Sequence, residues 1–193
     1  MLLEKFKNNH IILASGSPRR QELFKELGLN FTINVKEIDE IYPSTLKEEE
    51  ITNYLAKLKA KAFENELQEN DIIITSDTIV WHNNRPLEKP KNKAQAIAML
   101  QELSGNSHKV ITSVCIKTIK SQTVFFDVTT VFFKKLTVDE ILFYVENYRP
   151  FDKAGGYGIQ EWIGFIGVSR IEGSYFNVMG FPVHKVYENL MNL

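Results

Sequence analysis

The sequence predicts an α/β fold built on a mixed sheet flanked by helices. Three observations carry that prediction. Short apolar runs interleave with stretches of helical period along the whole chain. Most of the breaks between them hold glycine, proline or asparagine. No linker is long enough to separate two independent domains. At 193 residues the chain suits a single domain over 1–193, with room for two lobes. A chain of that length buries roughly 70% of its unfolded surface, so it needs no disulfide or structural metal.

Residues 10–14 form an apolar run that ends at Ser-Gly-Ser-Pro, a strand entering a turn. Residues 18–27 read as a helix with Leu23, Phe24 and Leu27 on one face, stopped by Gly28. A second strand is expected over 31–35. Residues 47–67 read as a long amphipathic helix with a stripe of Ile51, Leu55, Leu58 and Ala62. Its acidic start, Glu48-Glu49-Glu50, suits the helix dipole. Residues 71–76 form a buried strand, and 79–82 continue toward an Asn83-Asn84 turn.

Residues 93–103 are helical and stop at Gly105. Two long strands over 109–118 and 123–133 form a hairpin, with Ser121-Gln122 near the turn. Residues 138–148 are helical behind the cap Thr137. After Gly155-Gly156-Tyr157-Gly158, a strand is expected over 163–171 and a closing helix over 182–193.

The formal net charge is -1, which argues against a general nucleic-acid coat, since that needs a basic face. Cys115 is the one cysteine and sits in an apolar run, which predicts a buried, inert thiol. His10, His82, His108 and His184 lie far apart without i, i+4 pairing, so a zinc cluster is not expected. Residues 1–10 lack an apolar core of signal-peptide length. No stretch approaches the ~20 apolar residues of a membrane span. The expectation is a cytoplasmic protein with no membrane and no nucleic-acid partner; a homodimer stays open.

The first candidate site is the turn Ser15-Gly16-Ser17-Pro18-Arg19-Arg20. Ser17 makes a good N-cap and Pro18 a good first helical residue. The free N–H groups of that helix start, beside Ser15 and Ser17, suit an anion. Arg19 and Arg20 oppose the helix dipole there. Arg20 also shares a face with Leu23, Phe24 and Leu27, which turns it inward or into a cleft. A bound phosphate relieves both oddities, because guanidinium forks match its oxygens. The alternative is a pair of surface arginines matched with Glu22 or Glu26. The turn is not a Walker A loop, since no Gly-Lys-Ser/Thr follows at the required spacing.

Asp77 ends an apolar run, where α/β sheets bind ligands. A carboxylate there can hold Mg²⁺ or orient a water; it can also be a turn cap. Asp39-Glu40 could supply a second carboxylate, or be solvated loop charge. Lys59 lies at the edge of the apolar stripe, while Lys57 and Lys61 face solvent. Lys89 is rigidified by Pro90. Taken together, the cations and carboxylates suit a polyphosphate with a divalent metal.

The sequence resembles the Maf family of nucleoside triphosphate pyrophosphatases over nearly its whole length. The matching stretches are Ser15 through Arg20, Asp39-Glu40, the helix around Lys59, Ser76-Asp77-Thr78, Lys89-Pro90, and Leu103-Ser104-Gly105 with His108-Lys109-Val110. Asp152-Lys153-Ala154-Gly155, Tyr157-Gly158-Ile159-Gln160 and Asn177-Val178 with Gly180-Phe181-Pro182 complete the set. The resemblance implies an ITPase-like architecture, an elongated mixed sheet with two lobes around a nucleotide cleft. It implies cleavage between the α and β phosphates, with Mg²⁺ or Mn²⁺ as cofactor. Asp77 matches the general base. Arg20, Lys59 and Lys89 match phosphate contacts beside Ser15 and Ser17, and Glu40 and Asp77 match metal-proximal positions. Arg19, Thr78 and Gln160 match the dTTP/UTP branch, which favours pyrimidine nucleotides, modified ones included.

Three departures stand out. Asn92 occupies a position where members often carry Asp, Glu161-Trp162 replaces a small glycine-bearing stretch, and Phe181 replaces Leu. The Glu161-Trp162 pair is expected to reshape the base pocket. Two other functions remain as alternatives: an ITP/XTP-type purine house-cleaning enzyme, and a non-catalytic regulator of cell division.

Overall fold

The computed structural model describes residues 1–193. The chain opens with α1 (Leu2–Lys5), β1 (His10–Leu13), α2 (Pro18–Lys25), β2 (Thr32–Ile33) and α3 (Glu49–Lys61). A long strand, β3 (Asp71–His82), precedes β4 (Arg85–Leu87) and α4 (Lys93–Leu103). Then come β5 (Ser107–Lys117), β6 (Gln122–Phe133), α5 (Val138–Tyr148) and a 3-10 turn at Ala154–Gly156. The chain closes with α6 (Trp162–Gly167), β7 (Val168–Glu172), α7 (Tyr175–Val178) and α8 (Val183–Met191). The strands form one seven-stranded sheet in the order β2-β1-β3-β5-β6-β7, with β4 paired to β3. Both parallel and antiparallel pairs occur, so the sheet is mixed, as the sequence predicts. No helix is long and apolar enough to cross a membrane.

Contacts divide the chain into two compact units. The first comprises Met1–Asp77, Thr112–Asp127 and Gly180–Leu193. In it β1 runs parallel to β2 and to the first half of β3, with His10 opposite Asp71 and Leu13 opposite Ile74. Ile12, Ala14, Phe63 and Ile73 pack together. The ring of Phe24 meets Phe31 and Phe181 edge-on, at 4.9 and 6.0 Å. Phe181, the departure from leucine, therefore fills the core beneath α2. Cys115 is buried against Ala56 and Ala60, and burial pushes its thiol up to about 11, the inert cysteine that the sequence predicts.

The second unit comprises Thr78–Ile111 and Val128–Met179. Here β3 folds back onto β4 through Asn83-Asn84, both at positive φ (48° and 59°), as a two-residue hairpin turn requires. β7 pairs antiparallel with β6. Leu100, Leu103, Phe133, Ile141 and Tyr144 belong to its main apolar cluster. Thr137 and Glu140 form a reciprocal capping box at the start of α5. Asn92 accepts from the Gln95 N–H at 3.0 Å and so caps α4; the amide there does the capping work of a carboxylate.

The structure corrects several expectations. β2 is two residues long, and α3 ends at Lys61, where the chain turns to bury Phe63. β3 is continuous through Asp77 and Thr78. The apolar stretch 163–171 is half helix: α6 occupies Trp162–Gly167 before β7 begins. An unbroken apolar run has no period that separates a buried helix from a buried strand. The short helices α1 and α7 carry no periodic signal and are absent from the sequence-based expectation.

Candidate functional site

α3 supplies the first functional side chain. Its buried residues are Ile51, Thr52, Leu55, Ala56 and Ala60, a stripe rotated from the expected one. Lys59 thus lies within the buried face, four residues after Leu55 and three after Ala56, rather than at its edge. Its side chain is 17% exposed, whereas Lys57 and Lys61 are exposed, as expected. Burying an ammonium requires partners, and Lys59 has them. Its Nζ donates to Asp77 Oδ1 at 2.6 Å and to the Ser76 carbonyl at 3.4 Å, and lies 3.0 Å from Glu40 Oε1.

α2 supplies the second. Pro18 stands at its first turn and Ser17 is extended, as the sequence predicts. The Ser17 side chain, however, makes no cap bond. Ser15 is buried and its Oγ accepts the Ser17 N–H at 3.3 Å instead. Gln21, which sequence reading missed, donates its side-chain amide to the Ser15 carbonyl at 2.9 Å. Side chains of Ser15 and Gln21 thus hold the turn closed.

Arg20 points inward, as its position with Leu23, Phe24 and Leu27 predicts. Its Nε donates to the Gly180 carbonyl at 2.8 Å and its Nη1 to the Ser76 carbonyl at 2.9 Å. Of the alternative pair of surface arginines, Arg20 at least is held in the interior. Both acceptors are backbone carbonyls, which leave no mark in a sequence. The Ser76 carbonyl is shared by Arg20 and Lys59, which ties both cations to the residue before Asp77.

Asp77 is 6% exposed. Burial pushes its carboxyl above the usual range, while the charges of Lys59 and Arg20 pull the other way. Burial likewise lowers the pKa of the Arg20 guanidinium, and Asp77 opposes that shift. Glu40 sits on an exposed loop, its side chain 48% accessible, and completes the cluster. Arg20, Glu40, Lys59 and Asp77 are thus brought together within the first unit, two cations against two carboxylates. Arg19, partly buried, neighbours Arg20 on α2. No group of three or more metal-ligating side chains occurs.

Thr78, Lys89 and Gln160 belong to the second unit. Thr78 is partly buried on β3, and Lys89 is exposed just after β4. Gln160 is partly buried in the loop before α6. Glu161, expected to reshape a base pocket, forms an ion pair with Lys153 at 3.1 Å and accepts a hydrogen bond from the Tyr144 hydroxyl. Trp162 lies against Phe143, ring centroids 4.7 Å apart.

A family model described as "Maf-like protein" matches residues 10–193. A protein of Flavobacterium johnsoniae named dTTP/UTP pyrophosphatase is 60% identical over 193 residues, all of both chains. Proteins of the same name from Bacteroides fragilis and Phocaeicola vulgatus are each 50% identical, over 99% and 100% of this chain and 98% and 100% of theirs. The solved structure of the Staphylococcus aureus Ham1 protein covers 65% of this chain and 72% of its own, at 16% identity and a TM-score of 0.46.

Proposed function

Because the chain belongs to the Maf family, we propose that it is a dTTP/UTP pyrophosphatase, releasing the monophosphate and pyrophosphate from pyrimidine nucleoside triphosphates, modified ones included. The observation that carries this reading is the cluster of Arg20, Lys59, Asp77 and Glu40 around the Ser76 carbonyl. Hydrolysis of a phosphoanhydride needs charge neutralisation and a positioned water more than a covalent nucleophile. Two fixed cations supply the first. Asp77 takes the proton from the attacking water; its burial, which favours the protonated form, suits it to that task.

Arg20, Lys59 and Lys89 contact the phosphates in this reading, beside Ser15 and Ser17, and Arg19, Thr78 and Gln160 select the base. A divalent cation, Mg²⁺ or Mn²⁺, belongs to it too, held by Asp77 and Glu40. Two carboxylates fit an ion that takes most of its remaining oxygen ligands from phosphates and water. When bound, it neutralises charge across the phosphates.

The test is a panel of dTTP, UTP, CTP, purine and modified pyrimidine triphosphates with Mg²⁺ or Mn²⁺, followed for pyrophosphate. Preference for dTTP and UTP is expected. Preference for ITP or XTP would replace the substrate assignment, and direct release of orthophosphate would overturn the cleavage site.

A further inference from the structure

The loop between the 3-10 turn and α6 is held by side chains at successive residues. Tyr157 Oη lies 2.7 Å from His108 Nε2. The Gly158 N–H donates to Tyr144 Oη at 3.0 Å, and that hydroxyl donates to Glu161 Oε2. Glu161 Oε1 stands 3.1 Å from Lys153 Nζ, and Asp152 Oδ1 meets the same ammonium at 2.7 Å. A Cβ on Gly158 would lie 2.9 Å from Glu161 Cδ and 3.1 Å from Lys153 Cε, so the pair closes directly over that glycine. The Ile159 carbonyl is pressed against Gly164 of α6, where a Cβ would come within 1.9 Å. Gln160 is the next residue.

The chemistry of the network is specific. Lys153 and Glu161 side chains are only 9% and 20% exposed, so their charges rely on each other rather than on water. Tyr144 is the joint: one hydroxyl accepts from the loop backbone and donates to the carboxylate. Glu161 is adjacent to Gln160 in sequence and also anchors the start of α6 through its carbonyl, which accepts from the Gly164 and Phe165 N–H groups.

We infer that Glu161, with Lys153 and Tyr144, is a positioning group that fixes the backbone beneath Gln160 and so sets the nucleobase preference of the enzyme. The inference rests on Gln160 selecting the base. Selectivity is a difference between two binding energies, and a side chain on a loosened loop adapts to the wrong base as well as to the right one. Removing the hydroxyl or the charge frees the loop without touching the phosphate cluster.

The experiment compares Glu161→Gln, Glu161→Ala, Tyr144→Phe and Gln160→Ala. It reads kcat and KM for UTP, dTTP and GTP, with a thermal melt of each variant. Tyr144→Phe and Glu161→Ala are expected to lower the UTP-over-GTP ratio of kcat/KM by about tenfold, the scale of one charge-assisted hydrogen bond. The change should fall on KM more than on kcat. Glu161→Gln, which keeps an acceptor for Tyr144, should retain more of the preference than Glu161→Ala. Equal losses for all three nucleotides would mark a merely structural network and overturn the inference, and Glu161→Gln with Tyr144→Phe decide the matter if Glu161→Ala does not fold. A preference altered by Gln160→Ala alone also overturns it. A preference untouched by Gln160→Ala but altered by the others instead removes the role of Gln160.

Discussion

Lys59 Nζ lies 2.6 Å from Asp77 Oδ1, and the same ammonium reaches the carbonyl of the preceding Ser76 at 3.4 Å. The contact holds a buried carboxylate in one orientation and offsets part of the desolvation that raises its pKa. Asp77→Asn keeps the shape and a hydrogen-bonding oxygen but cannot take a proton. We expect kcat for UTP to fall by at least about a hundredfold, the usual lower range for loss of a general base. Pyrophosphate release under saturating nucleotide measures it. Unchanged turnover would remove Asp77 from the proton-transfer step.

Arg20 bridges two carbonyls with two different nitrogens, Nε to Gly180 and Nη1 to Ser76. A lysine keeps the charge but cannot span both acceptors, because its donors leave a single point. Arg20→Lys should therefore destabilise the protein by about 1–3 kcal/mol, the cost of a buried acceptor left unmade. It should also raise KM, since the remaining cation is no longer fixed. Urea denaturation and steady-state kinetics read the two effects separately.

The inward turn of Arg20 was legible from its spacing to Leu23, Phe24 and Leu27. Lys59 was nearly so, misjudged by a small rotation of the buried stripe. Asp77 was singled out as the residue beyond a strand end, but β3 runs through it to His82, so it is a buried carboxylate in mid-strand rather than a group at the strand's mouth or a turn cap. Their meeting was not legible from the residues: Arg20 and Lys59 share the Ser76 carbonyl, a group that every residue carries, and Lys59 pairs with Asp77 and Glu40 across elements that no local pattern brings together. The role of Glu161 was hidden for a related reason. Its partners lie 8 and 17 residues away, on elements whose packing no local pattern encodes. The strand expected over 163–171 holds only from Val168 onward; before it the chain is helical, and Gly164 allows the close approach to the Ile159 carbonyl that a Cβ would block.

His108 gives a pH prediction. Burial lowers its imidazole from 6.5 to about 3, with the nearby charge of His82 adding to the shift. Around it stand Tyr157, which meets Nε2, and the ring of Phe133. The folded state therefore refuses a proton that the unfolded chain accepts. Between the two pKa values the unfolded state binds more protons, so stability rises with pH across that window and is lost on acidification. From pH 7 to pH 5 this residue should cost about 2 kcal/mol. His108→Gln, which does not titrate, should flatten that part of the profile by a similar amount. Denaturation midpoints of both proteins at the two pH values check it.

Two glycine substitutions separate crowding from backbone strain. Gly28 has φ +69° with nothing within 4 Å of where a Cβ would stand, so an alanine there meets only the left-handed backbone cost. That cost is about 1–2 kcal/mol. Gly164 is the opposite case: a Cβ would lie 1.9 Å from the Ile159 oxygen and 2.5 Å from its carbonyl carbon. Backbone cannot rotate aside as a flexible side chain does, and the loop is already tied at Tyr157 and Gly158. Gly164→Ala must therefore move α6 or the backbone beside Gln160. It should cost about 3 kcal/mol or more, exceed Gly28→Ala, and degrade nucleobase preference, whereas Gly28→Ala should lower the melting temperature alone. Melting temperatures with UTP and GTP kinetics on both variants test the ordering. A Gly164→Ala protein as stable and as selective as the parent would show that the loop is not held where its contacts place it.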